Sequence, residues 1–250
     1  MVPYVDVHAH LHFDRLKSDL NEILKRAEMS NVIVINSGTD IEGNRKTLEL
    51  SKNYPFIKAS LGLFPTLVSD LNYSILKSEI EFIRTKKNDI VAIGECGLDF
   101  AEENYDFKSQ KRLFLDLIEL SEKIKKPLVV HSRKAELECI EMLESCKHKN
   151  IVMHFFSGNF KLVKRIEDNG WLFSIPCKIE KLQHFQMITE KVNINQLVTE
   201  TDSPYAPPEG EERNEPMFVM KTVKKIAEIK GMDSGEVRNN IFMNYKRVFG

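Results

Sequence analysis

Six side chains able to hold divalent cations punctuate this chain: His8 and His10 near its start, then Glu95, His131, His154 and Asp202. Imidazole with carboxylate suits zinc, iron, manganese or nickel, and oxygen-rich sites also suit magnesium. Four imidazoles and two carboxylates exceed what one tetrahedral zinc needs, so the set predicts two ions. Two ions roughly 3.5–4 Å apart can generate hydroxide from bound water and clamp the attacking and leaving oxygens of a displacement. The predicted chemistry is hydrolysis. Glu95 is placed to bridge the pair, His8 and His10 with Asp202 to complete one shell, and His131 with His154 the other.

Scattered residues can meet only if the fold brings them together. Each ends a short apolar or β-branched run: Tyr4–His8, Ile90–Glu95, Pro127–His131, Ile151–His154 and Leu197–Asp202, with further candidate strands at Val32–Asn36, Ile57–Leu63 and Trp171–Ile175. Residues two apart on a strand share a face, which puts Asp6, His8 and His10 on one side and Val5, Val7 and Ala9 on the other. Amphipathic stretches separate most runs; from Gln110 to Ile124, Leu113, Leu117, Leu120 and Ile124 mark one apolar face. Eight strands alternating with helices predict a closed α/β barrel, the (β/α)8 TIM barrel. All strand C-termini then open on one rim, where such folds build their sites. Imidazoles and carboxylates gathered there without partners would be costly. Helical segments at Pro216–Lys230 and Ser234–Val248 close the chain, and Cys96-Gly97-Leu98-Asp99 reads as a turn.

Composition narrows the partners. With 36 basic and 37 acidic residues the formal charge is −1, giving no overall pull toward nucleic acid or anionic membrane, so phosphate binding must be local. The 250 residues are read as one domain, 1–250, without linker or repeat. The four cysteines are scattered with no Cys-x-x-Cys pair, which fits free thiols in a reducing cytosol. No apolar run approaches the roughly 18 residues of a membrane span, and the start lacks a signal pattern. A cytoplasmic protein without an obligate protein partner is expected.

Six motifs in order resemble the TatD family of metal-dependent deoxyribonucleases, within the amidohydrolase-like barrel superfamily. They are Asp6-Val7-His8-Ala9-His10-Leu11, Gly94-Glu95-Cys96-Gly97-Leu98-Asp99, His131-Ser132-Arg133, His154-Phe155-Phe156-Ser157-Gly158, Glu200-Thr201-Asp202-Ser203-Pro204-Tyr205 and Arg213-Asn214-Glu215-Pro216. The resemblance covers essentially the whole chain. It implies the same six metal ligands, two divalent ions (magnesium, manganese or zinc), and hydrolysis of DNA phosphodiesters at strand ends. Asp202 and Glu95 would be the catalytic carboxylates, with Asp202 positioning or deprotonating the attacking water. Arg133 and Arg213 would meet phosphate, for which a guanidinium fork is suited, although Arg213 could instead tie down its loop through Glu215 or Glu200. Asp99 and Glu200 are expected behind the ligands, orienting them or the rim. Ser157 and Gly158 either present a hydroxyl and N–H groups to an oxyanion or cap the next helix.

The chain departs from the family pattern at the third strand's exit. Gly62-Leu63-Phe64-Pro65-Thr66 stands where Gly-x-His-Pro-His is usual, so two imidazoles facing the substrate are missing. Phe64 can stack on a base or close a smaller pocket, but it cannot donate a proton. Phe155 replaces a common cysteine, and Phe100 a frequent tyrosine. These changes spare every candidate ligand. They motivate a second reading, a barrel hydrolase of an ester or amide such as an aminoacyl ester on RNA, and a third, a non-catalytic metal-binding protein.

Overall fold

The computed structural model describes residues 2–101 and 103–250. Eight strands run β1 (Tyr4–Ala9), β2 (Val32–Ser37), β3 (Ile57–Leu61), β4 (Ala92–Asp99), β5 (Leu128–Arg133), β6 (Ile151–Met153), β7 (Leu172–Pro176) and β8 (Leu197–Glu200), each parallel to the next in sequence order. Between them lie α1 (Leu20–Met29), α2 (Ile41–Asn53), α3 (Tyr73–Thr85), α4 (Phe107–Ile124), α5 (Glu136–Glu144), α6 (Phe160–Asp168) and α7 (Gln183–Lys191). This is the (β/α)8 barrel. The seam between β1 and β8 is joined by the Asp202 N–H to His8 O (2.9 Å) and the His10 N–H to Ser203 O (2.7 Å). Asp6 reinforces it. Its fully buried carboxylate accepts from the Thr201 N–H at 2.9 Å and hydroxyl at 2.6 Å. Burial pushes Asp6 up to about 8, against the hydrogen bonds that favour its anion.

The local reasons for these elements are visible in the residues. The α4 stripe buries Leu113, Leu117 and Leu120 as its spacing predicts, with Phe114 and Ile118 widening it. Asp40, Asn72, Asp106 and Asp233 cap α2, α3, α4 and the last helix by accepting backbone N–H groups of the first turn. Of the two C-terminal helices, α8 (Val219–Lys230) packs on β1, β7 and β8 as the barrel's eighth helix, and α9 (Ser234–Phe249) is the addition. The Asn244 amide of α9 donates to Ile194 O and Leu197 O, both at 2.8 Å, holding the entry to β8. No helix among the described residues is long and apolar enough to cross a membrane.

One sequence expectation needs correction. Cys96 to Asp99 is not a turn; β4 continues through it and pairs Cys96 with Val130 and Asp99 with Arg133. A register shift between Ile93 and Cys96 sets three steps of β4 against two of β5, a bulge that re-aims Glu95. Gly97 makes the close pairing possible. Its φ is +143°, and a Cβ there would stand 2.0 Å from the His131 carbonyl oxygen.

Candidate metal centre

His8 and His10 leave the end of β1, Glu95 the bulge of β4, His131 β5, and His154 the residue after β6. Asp202 follows β8 with φ +59°, a left-handed conformation that aspartate tolerates better than most residues. The structure brings all six to one cluster at the mouth. Three overlapping groups could each hold an ion: His8, His10 and Glu95; His8, His154 and Asp202; and Glu95, His131 and His154.

The spacing can be tested against metal geometry. Ligand atoms around a tetrahedral zinc lie about 3.3 Å apart, from a metal–ligand distance of roughly 2.0–2.1 Å. Between the Nε2 atoms of His8 and His10 the separation is 3.0 Å. From Glu95 Oε2 it is 3.4 Å to His8 and 3.3 Å to His10, and from Asp202 Oδ1 it is 3.7 Å and 3.4 Å. The His8, His10 and Glu95 edges fit one cation, with Asp202 Oδ1 on the open side of the two imidazoles. On the far side of the same carboxylate, Glu95 Oε1 lies 2.9 Å from His131 Nδ1 and 3.8 Å from His154 Nε2. The two oxygens of Glu95 thus face two different imidazole pairs.

Each imidazole is held from behind, and that contact decides which nitrogen faces the cluster. His10 Nδ1 donates to Ser37 O at 2.8 Å, and His8 Nδ1 lies 3.1 Å from the Ser37 hydroxyl. His154 Nδ1 meets Glu200 Oε2 at 2.7 Å, while Ser174 and the Phe155 N–H also donate to Glu200. His131 is turned the other way: its Nε2 meets Asp99 Oδ2 at 2.9 Å, leaving Nδ1 for the cluster. Asp99 and Glu200 therefore sit directly behind His131 and His154.

Charge is balanced within the cluster. Burial disfavours the Glu95 anion, but the imidazoles of His8, His10 and His131 around it hold it well below the usual range. Burial likewise opposes protonation of His10, yet hydrogen bonds to Asp202 and Glu95 carry it up to about 10. For His154, burial is outweighed by the charge and hydrogen bond of Glu200, which raise it to about 9. His8, dominated by burial and by neighbouring His154, falls to about 4. Buried carboxylates here require positive charge, which protons or cations can supply.

The other predicted residues are divided. Phe64 and Arg133 line a mouth cavity of about 580 Å³ above the cluster, Phe64 with its ring 4.8 Å from that of His131. Arg133 Nε donates to Asp99 at 2.9 Å, and its Nη groups make no hydrogen bond among the described residues. Arg213 does not line that cavity. Its guanidinium grips Asp19, at 3.0 Å from Nη1, with Glu215 at 3.6 Å; it ties the β8 loop to the segment before α1. Ser157 donates to Glu136 at 2.8 Å beside a smaller adjoining pocket. It does not cap α6, because Asn159 does so by accepting from the Lys161 and Leu162 N–H groups.

Residues passed over in the sequence complete the mouth: Phe13, Thr39, Asp40, Leu67 and Tyr205. Ser37 was also missed, although it ends β2 and the strand-end logic applied elsewhere would have found it. Tyr205 closes the Glu200–Tyr205 motif, whereas Phe13 carried no such signal, since loop aromatics are common and only the fold turns it inward.

A parallel barrel with an imidazole–carboxylate cluster at its C-terminal rim defines a metal-dependent hydrolase. The profile described as TatD related DNase matches residues 5–250, and the chain belongs to that family. It is 34% identical over 248 residues to an uncharacterized metal-dependent hydrolase, MJ1582, of Methanocaldococcus jannaschii, covering 99% of this chain and 97% of that one. It is 28% identical over 260 residues to human deoxyribonuclease TATDN3, covering 99% and 95%. In fold it matches the crystal structure of YJJV, a TatD homologue from Escherichia coli, with a TM-score of 0.92, 24% identity and coverage of 98% and 97%.

Proposed function

We propose that this protein hydrolyses phosphodiester bonds of DNA at strand ends, with two divalent ions held by His8, His10, Glu95, His131, His154 and Asp202. The observation that carries this reading is Glu95, whose two oxygens address separate imidazole pairs. Bound divalent ions supply Lewis acidity and lower the pKa of coordinated water toward neutrality. The protein's own part is positioning and proton transfer. Asp202 is the more open carboxylate, with 18% of its side chain exposed against 4% for Glu95. Although burial disfavours its charge, the hydrogen bond from His10 and the charge of His154 hold it below its usual range, so it is ionised and ready to accept a proton from water. Arg133, steadied at Nε by Asp99, offers Nη1 and Nη2 to a phosphate at the cavity wall. The family membership and the human relative named a deoxyribonuclease support DNA as the substrate class.

End-labelled oligonucleotides incubated across magnesium, manganese and zinc, with an EDTA-stripped control, test the reading. Metal-stimulated nucleotide release is expected. A second reading, hydrolysis of an ester or amide, is favoured by Phe64 and Thr66, which leave the mouth without the imidazoles that would protonate a leaving nucleoside. Turnover of acyl substrates with no nucleotide release would select it.

A further inference from the structure

Resting on that reading, we infer that the mouth recognises a short oligonucleotide, down to a dinucleotide, through one base on each side of the scissile phosphate. Two aromatic walls flank the cluster, and each is locked onto a candidate ligand. Phe13 stacks on His10 with ring centroids 4.8 Å apart and planes 8° from parallel. Tyr205 stands edge-on to Phe13 at 5.9 Å and is 43% exposed. On the other side, Phe64 tilts over His131 at 4.8 Å. His10 and His131 face opposite oxygens of Glu95. A phosphodiester centred over Glu95 therefore sends one nucleoside toward Tyr205 and Phe13 and the other toward Phe64. The cavity of about 580 Å³ falls within the roughly 300–1,000 Å³ usual for a small ligand.

Charge argues against a longer track. Apart from the candidate metal-ligand imidazoles, Arg133 is the one basic residue among the described residues lining the mouth, beside Asp40, Glu95 and Asp202. The rim loops after β4 and β8 expose Glu103, Asp106 and Glu212, while Glu209 is paired with Lys181 at 3.0 Å. A protein that follows a polynucleotide neutralises many phosphates and pays a steep salt dependence. Here aromatic stacking, tolerant of sequence, takes that place.

The metal-loaded protein is assayed on thymidylyl-thymidine, on its analogues lacking one base, and on a thymidine strand of about 20 residues. The dinucleotide is expected to match the long strand in kcat/KM, with weak salt dependence. Removing either base raises KM by about 5- to 100-fold. Phe64→Ala and Tyr205→Ala raise KM similarly, and each penalty overlaps, rather than multiplies, that of losing the base it faces. Phe64→Trp retains affinity. A binding readout accompanies these: saturation transfer by NMR from protein aromatic protons to both bases of a dithymidine with a non-hydrolysable methylenephosphonate link. The inference is overturned if the long strand is preferred more than about tenfold with a steep salt slope, if base removal costs nothing, or if saturation reaches neither base. If no phosphodiester of any length is cleaved, the phosphodiesterase reading itself fails.

Discussion

The two ends of the barrel are built from the same eight strands by opposite means. At the N-terminal end, pairing is regular, and Asn244 holds the entry of β8 through its backbone carbonyls. At the C-terminal end, β4 bulges beside Glu95, and buried carboxylates stand behind imidazoles. The first end is organised for stability, the second for holding charge that folding alone would disfavour.

The contrast is broken most severely by removing the shared carboxylate. Glu95→Ala is expected to lower metal-dependent kcat on the order of 10³-fold while the thermal transition stays cooperative; activity within tenfold of the parent would dismiss Glu95 as the bridge. Metal affinity should also climb with pH. Because His10 and His154 are raised to about 10 and about 9, both carry protons at pH 7 in metal-free protein. Cations must displace them, so affinity rises by about tenfold per pH unit for each proton released, from near neutrality up to about pH 9. Calorimetric titrations in buffers of different ionisation enthalpy count those protons, and a flat profile would contradict the charge balance described above.

Smaller effects sharpen the same comparison. Glu200→Gln and Asp99→Asn should each weaken metal binding by about 10- to 100-fold through the imidazole they orient, which equilibrium dialysis would measure. Asp99→Asn should also raise KM, because Arg133 loses its support, whereas Glu200→Gln should not. Gly97→Ala is expected to cost about 2–3 kcal/mol in denaturant unfolding, from the collision with His131 and the positive φ. At the opposite end, Asn244→Ala should cost about 1–2 kcal/mol by stranding the buried Leu197 carbonyl and the half-buried Ile194 carbonyl and leave the metal-dependent rate unchanged. A large rate loss there would mean that the two ends are coupled.

The alternation of apolar runs and amphipathic stretches, and a metal-competent residue at the end of run after run, were determined by sequence alone. Both follow from periodicities that local chemistry writes directly: two residues per strand repeat, 3.6 per helical turn, and a parallel connection that returns every strand end to one rim. Arg213 and Ser157 show where that reasoning stops. A side chain's neighbours across the barrel depend on loop paths with no period, so Arg213 found Asp19 in addition to the expected Glu215, and Asn159 rather than Ser157 capped α6. The bulge at Glu95 and the inward turn of Phe13 and Tyr205 likewise arise from long-range pairing and closure. Only the tertiary structure decides such contacts, because their energy lies between residues the sequence holds far apart.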